Sequence, residues 1–147
     1  MNKTVSYDGI GYVAATFKID ATTKAFLEAN KVNAKTGNVD INDERLAVKL
    51  NTDGTVGFGA KTPTAADAVF GVIIAYEMDG FATVQTDGYV EGVPTAAAIN
   101  AGVKTLAVND AGVVSSVPAG EGTAAADSRG TVIEPSASTN LFATLKF

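Results

Sequence analysis

From Phe70 to Val93 the chain reads FGVIIAYEMDGFATVQTDGYVEGV, and the order of apolar and polar residues predicts strands. Val69 to Tyr76 is apolar throughout, as suits a strand buried on both faces. Phe81 to Thr86 mixes Ala82 and Val84 with Thr83 and Gln85, the pattern of a strand wetted on one side. Asp79-Gly80 and Asp87-Gly88 supply residues that tolerate positive φ where a chain reverses, so the segment is expected to form a β-meander.

Period-two alternation recurs elsewhere. Between Tyr12 and Ile19 the residues Val13, Ala15, Phe17 and Ile19 share a face opposite Tyr12, Thr16 and Lys18. From Arg45 to Leu50 the inward set is Leu46, Val48 and Leu50, opposite Arg45 and Lys49. The last run places Leu141, Ala143, Leu145 and Phe147 against Asn140, Thr144 and Lys146, and a terminal strand of this kind is expected to dock in a sheet. Three places share a local grammar of apolar residue, Asn, then Gly: Val32-Asn33 leading to Gly37, Leu50-Asn51 to Gly54, and Val108-Asn109 to Gly112. Each predicts a hairpin turn.

Helix signals are scarce. Ala21 to Asn30 with Asp20 as its cap, and Pro94 to Ala101 with Gly102 just beyond, are the two candidates. Pro118 to Gly130, PAGEGTAAADSRG, is small, polar and aperiodic, and is expected to be a mobile loop. The whole predicts an all-β fold, a compact antiparallel β-sandwich or small barrel with one or two short helices. It is expected as a single domain over 1–147, with residues 1–8 as an N-terminal arm.

A chain of 147 residues should bury roughly 68 to 70% of the surface its unfolded form exposes, so a core is available without staples. Cys is absent, which excludes disulfides and thiolate metal sites, and His is absent too. That removes the commonest general base and the commonest zinc ligand. The net charge of −5, with Arg45 and Arg129 as the only guanidinium groups, argues against nucleic-acid binding. No run resembles a signal peptide or approaches the roughly 20 apolar residues of a membrane span, so a soluble protein made in a cytoplasm is expected.

Candidate chemistry is thin. Gly9-Ile10-Gly11-Tyr12-Val13-Ala14 matches GxGxxA by letter, but a dinucleotide fingerprint needs a strand before it and a helix after it, and alternating β residues follow here. Asp40, Asn42, Asp43 and Glu44 cluster without EF-hand spacing and read as a solvated loop. Asp87 and Glu91 flank Tyr89 as a carboxylate pair, yet Asp87 belongs to a turn signature. Ser115 and Ser116 with Lys104 are the only serine–lysine set in neighbouring predicted strands. Tyr12, Tyr76, Phe81 and Tyr89 fall at strand positions, where packing or an interface accounts for them better than base stacking. No catalytic residue, cofactor or metal ligand is expected, and the chain reads as a non-enzyme.

Three stretches carry a resemblance: VSYDGIGYVAATFK (Val5 to Lys18), FGVIIAYEMDGFATVQTDGYVEGVP (Phe70 to Pro94) and INAGVKTLAVNDAGVV (Ile99 to Val114). Their order of a Gly-Val-rich strand, a D-G-[FY]-A-x-V-Q strand, a G-[FY]-V-x-V strand and an x-A-G-x-x-L turn resembles the small cement, or head decoration, proteins of tailed bacteriophages. The chain departs from that pattern over Ala21 to Asn42, which is longer, and over Ser115 to Gly130, an insertion. The resemblance implies an all-β domain on the outside of a virion, bound to the assembled lattice of a major capsid protein; a dimer or trimer on the capsid is expected, with no membrane or nucleic-acid partner. Contacts are expected from Asn2, Lys3, Thr4, Val5, Ser6 and Tyr7, which could order on the shell, and from Pro118 to Gly130, which has too few apolar groups to order alone. The alternatives are a tail-tube or head-tail joining protein and a carbohydrate-binding adhesin module.

Overall fold

The computed structural model describes residues 11–41, 44–77, 80–117 and 129–147. The expected arm and its contact residues Asn2 to Tyr7, together with Asn42, Asp43, Asp79 and 118–128 of the expected loop, lie outside the described residues.

Among the described residues ten strands carry the fold: β1 (Val13–Lys18), β2 (Ala47–Leu50), β3 (Val56–Gly57), β4 (Gly71–Glu77), β5 (Phe81–Asp87), β6 (Tyr89–Pro94), β7 (Leu106–Val108), β8 (Val114–Ser116), β9 (Thr131–Glu134) and β10 (Phe142–Lys146). An α-helix, α1 (Ala21–Asn30), interrupts them. The strands form a five-stranded sheet in the order β1-β5-β4-β2-β3, a three-stranded sheet β6-β10-β9 and the hairpin β7-β8, all antiparallel. The larger sheet curls into a half-barrel. Its outer strands approach each other at one end, where Ile19 forms a parallel bridge to Val56 and the Asp20 amide donates to the Val56 carbonyl at 2.9 Å. The expected all-β class is what the chain adopts.

One apolar cluster draws from all three sheets, with Val48, Ile73 and Val84 from the first, Val93 and Leu145 from the second and Leu106 from the hairpin. Leu27 and buried Thr23 bring α1 onto it, and the Thr23 hydroxyl accepts from the Phe58 amide at 2.8 Å. The helix starts where the sequence places it because the Asp20 carboxylate accepts from the Thr23 amide at 2.8 Å. The three Asn-to-Gly segments are all hairpin turns: Gly37, Gly54 and Gly112 have positive φ, and their amides return to the carbonyls of Asn33, Asn51 and Asn109.

Other expectations are corrected. The segment Pro94 to Ala101 is not a helix. Pro94 ends β6, and the amides that follow bond across the fold: Thr95 to Leu141, Ala96 to Val114, and Ile99 to the Ser136 hydroxyl. Tertiary partners satisfy the donors that a helix would otherwise use. The meander is half right. β4 and β5 pair directly, but β6 pairs with β10, so Asp87-Gly88 is a corner between two sheets instead of a hairpin. Gly88 (φ 89°) fits there because a Cβ would lie 2.9 Å from the Gly11 carbonyl oxygen and 3.0 Å from the Tyr12 Cβ.

Face assignments fail where strands bulge or stop. In β1, an edge strand whose register to β5 shifts between Val13 and Ala14, Val13 and Ala15 are exposed, Phe17 is half-buried and Ile19 is buried. Leu50 is exposed because β2 ends at the Asn51 turn. In β10 the register shifts around Thr144 bury Ala143, Thr144 and Leu145 in succession, and Leu141 remains at the surface. Thr144 is accommodated by donating to the buried Glu134 carboxylate at 3.2 Å.

A partly buried ion pair ties β2 to the short 3₁₀ turn Ala65–Asp67. Lys49 Nζ donates to Asp67 Oδ1 at 2.9 Å, and the Thr64 amide donates to Oδ2 at 3.1 Å. Burial alone would raise the Asp67 pKa. The Lys49 hydrogen bond, the Thr64 and Ala60 amides and the Lys49 charge outweigh it, so the carboxyl lies below the ordinary aspartate value.

Candidate binding surfaces

The groups singled out for chemistry do not converge. Asp87 is exposed and its Oδ1 accepts from the Gly88 amide at 2.8 Å, a turn role. Asp40 accepts from the Asn33 side chain at 3.4 Å, while Glu44 pairs with Lys31 at 2.9 Å. Among the described residues no three acidic side chains are grouped to hold a metal ion. Gly11 leads into β1 and not a helix, so the GxGxxA letters lack the helix N-terminus that a pyrophosphate needs. Lys104 and Ser116 are exposed and Ser115 is half-buried, whereas a serine–lysine mechanism needs a lysine buried beside the serine.

Two surface depressions stand out instead. The first is an apolar cleft of about 310 Å³, lined by Phe26, Leu46, Pro94, Ala111, Val113 and Phe142 among others. The lining is drawn from several elements. Phe26 projects from α1 and meets Phe58 edge-on at 5.5 Å, Val113 follows the Asn109 turn, and Phe142 opens β10 opposite Pro94 of β6. Phe142 is 48% exposed at the lip and Leu141 beside it is also exposed. The Lys31–Glu44 pair contributes the polar edge; Glu44 Oε2 is buried and has no hydrogen-bond partner among the described residues.

The second is a polar groove of about 450 Å³ at the corner where β5 passes into β6. Tyr12, Arg45, Ile74, Gln85, Tyr89, Val90 and Glu91 line it. Tyr12 is 63% exposed, so core packing does not account for it, whereas Tyr76 packs against the core. Tyr89 is half-buried, with Lys146 Nζ 6.0 Å from its ring centroid. Gln85, which alternation placed on the wet side of β5, is 5% exposed. Its amide nitrogen donates to the carbonyls of Asp87 at 2.9 Å and Tyr89 at 3.1 Å, holding the corner. Alternation could not find this residue, because its burial comes from the corner that follows the strand.

No protein-family model matches the chain, and no curated protein matches it.

Proposed function

We propose that the chain is a capsid decoration protein, a binding domain without enzymatic activity that seats on the outer surface of an assembled phage head and stabilises the major capsid protein lattice. The observation that carries this reading is Phe142, an aromatic side chain 48% exposed at the lip of an apolar cleft. An exposed aromatic beside a preformed apolar pocket is the anatomy of an interface hot spot. The resemblance of Val5–Lys18, Phe70–Pro94 and Ile99–Val114 to cement proteins supports the same partner. The net charge of −5 agrees with an outer position, away from packaged DNA.

Such a protein acts by binding the assembled lattice better than free subunits, shifting the equilibrium toward the intact shell. Copies arranged as dimers or trimers around a local axis add avidity to each modest contact. The test is co-sedimentation of the purified protein with DNA-free heads of the phage that encodes it, followed by heating or chelation. Binding with a raised disruption temperature supports the proposal; absence of binding, or binding with no change in head stability, overturns it.

A second reading is favoured by β1, one of the two edge strands of the five-stranded sheet among the described residues. Tail-tube and head-tail joining proteins assemble through strand edges. Rings formed by the purified protein alone, seen by negative-stain microscopy, would favour that role over decoration.

A further inference from the structure

We propose that the groove lined by Tyr12, Arg45, Gln85, Tyr89 and Glu91 is a binding site for a neutral saccharide. A pyranose offers two kinds of surface: hydroxyls that both donate and accept at fixed angles, and apolar C–H faces. A site for it must combine aromatic rings with planar side chains that hold several hydrogen bonds at once. The groove supplies both, with Tyr12 and Tyr89 as rings and the guanidinium, amide and carboxylate of Arg45, Gln85 and Glu91 as planar groups.

Gln85 decides the matter. It is 95% buried, being 5% exposed, and its nitrogen donates to two carbonyl oxygens, those of Asp87 and Tyr89. Only an NH₂ group can serve two acceptors, so the orientation of the amide is set, and Oε1 is the atom of that amide left to accept. A rigidly held acceptor in a groove wall is matched by a ligand hydroxyl. Arg45, Tyr89 and Glu91 each take part in an interaction within the protein. Tyr12 is positioned by the corner itself, since Gly88 carries no Cβ to push it away.

Charge selects among sugars. Arg45 and Glu91 are of opposite sign, so the groove has no net attraction for uronic or sialic acids. Its volume of about 450 Å³ lies in the range of small-molecule sites, roughly 300–1,000 Å³. Arg45 lines the apolar cleft as well, so the two surfaces adjoin. The saccharide inference goes beyond lattice binding and does not depend on it.

The experiment uses the isotope-labelled full chain in solution, without heads, so its outcome is separate from that of the decoration reading. Amide spectra are recorded against neutral hexoses, N-acetylhexosamines, uronic acids and sialic acid. The expected result is a saturable shift at Tyr12, Gln85, Tyr89 and Glu91 with at least one neutral sugar. Tyr12→Ala and Glu91→Ala, both at exposed positions, should each weaken binding about three- to tenfold, the size of one aromatic or hydrogen-bonded contact, with the remaining spectrum unchanged. No saturable shift with any neutral sugar, shifts confined to other residues, binding of acidic sugars alone, or unaltered affinity in both variants would each overturn the proposal.

Discussion

The carboxylate of Asp20 holds two parts of the fold at once: Oδ1 caps α1 at the Thr23 amide and Oδ2 accepts from the Asn51 side chain at 2.9 Å. Asn51 begins the β2-β3 turn, so helix start and hairpin are joined through one residue. The approach depends on Gly57, where a Cβ would run into the Asp20 carboxylate. Asp20→Ala removes both bonds, and a loss of about 2–3 kcal/mol is expected, against about 1 kcal/mol for an ordinary cap. Urea unfolding measures it; a loss no larger than that of a simple cap would show the Asn51 bond to be dispensable.

Gly59 and Gly54 separate steric from conformational demands. A Cβ at Gly59 would strike the Val108 carbonyl oxygen and stand 2.8 Å from Asp67 Cβ and Cγ, so Gly59→Ala must displace backbone. Gly54 faces open space but has φ +85°, and Gly54→Ala is expected to cost only about 1–2 kcal/mol. Gly59→Ala should therefore be the more destabilising of the two by thermal melting, and equal melting temperatures would contradict the close packing at Gly59.

Acid sensitivity follows from Asp67. Its folded pKa is lowered, so its contribution is fully present above the unfolded value of about 3.9 and is lost as pH falls through the folded value beneath it. Asp53, lowered by the Thr55 hydroxyl and amide, is exposed and titrates in the same direction. Asp67→Asn should destabilise the protein at neutral pH and flatten the fall in stability below about pH 4. Denaturant midpoints at a series of pH values test this, and an unchanged acid slope would count against the Lys49 pairing.

Ser136 is expected to matter more than a surface serine. Its hydroxyl accepts from the Thr95 hydroxyl and the Ile99 amide, both at 2.9 Å, in a buried setting. Ser136→Ala leaves those donors unpaired, at about 1–3 kcal/mol. Hydrogen exchange should show faster loss of protection at Ile99, and protection equal to the parent's would mean that another acceptor replaces Ser136.

Phe142→Asp tests the proposed lattice contact. Because the ring is 48% exposed, folding stability should change by only about 0.5–1 kcal/mol. Head occupancy should fall at least tenfold if Phe142 is a hot spot of about 2 kcal/mol. A folded variant that decorates heads as well as the parent would remove the cleft from the binding surface.

Much of this architecture was legible in residue order. The apolar run at Val69–Tyr76, the alternation of Arg45–Leu50, the three Asn-to-Gly turns and the capped helix at Ala21–Asn30 rest on side-chain period and on φ preferences, which act over a few residues. They were enough to determine an all-β chain and the places where it turns. The candidate surfaces are less legible: residue order marks Tyr12 only as a packing or interface residue of a strand and Gln85 as a residue on a strand's wet side, and it does not single out Phe142.

What only the tertiary structure decided was pairing between distant segments. β6 leaves β5 at Gly88 because β10, at the far end of the chain, is its partner, and that corner buries Gln85 and frames the groove. Pro94–Ala101 forgoes a helix because Leu141, Val114 and Ser136 accept its amides. Local preferences amount to tenths of a kcal/mol per residue, whereas an unsatisfied buried amide costs about 1–3, so the long-range partners prevail wherever the two conflict.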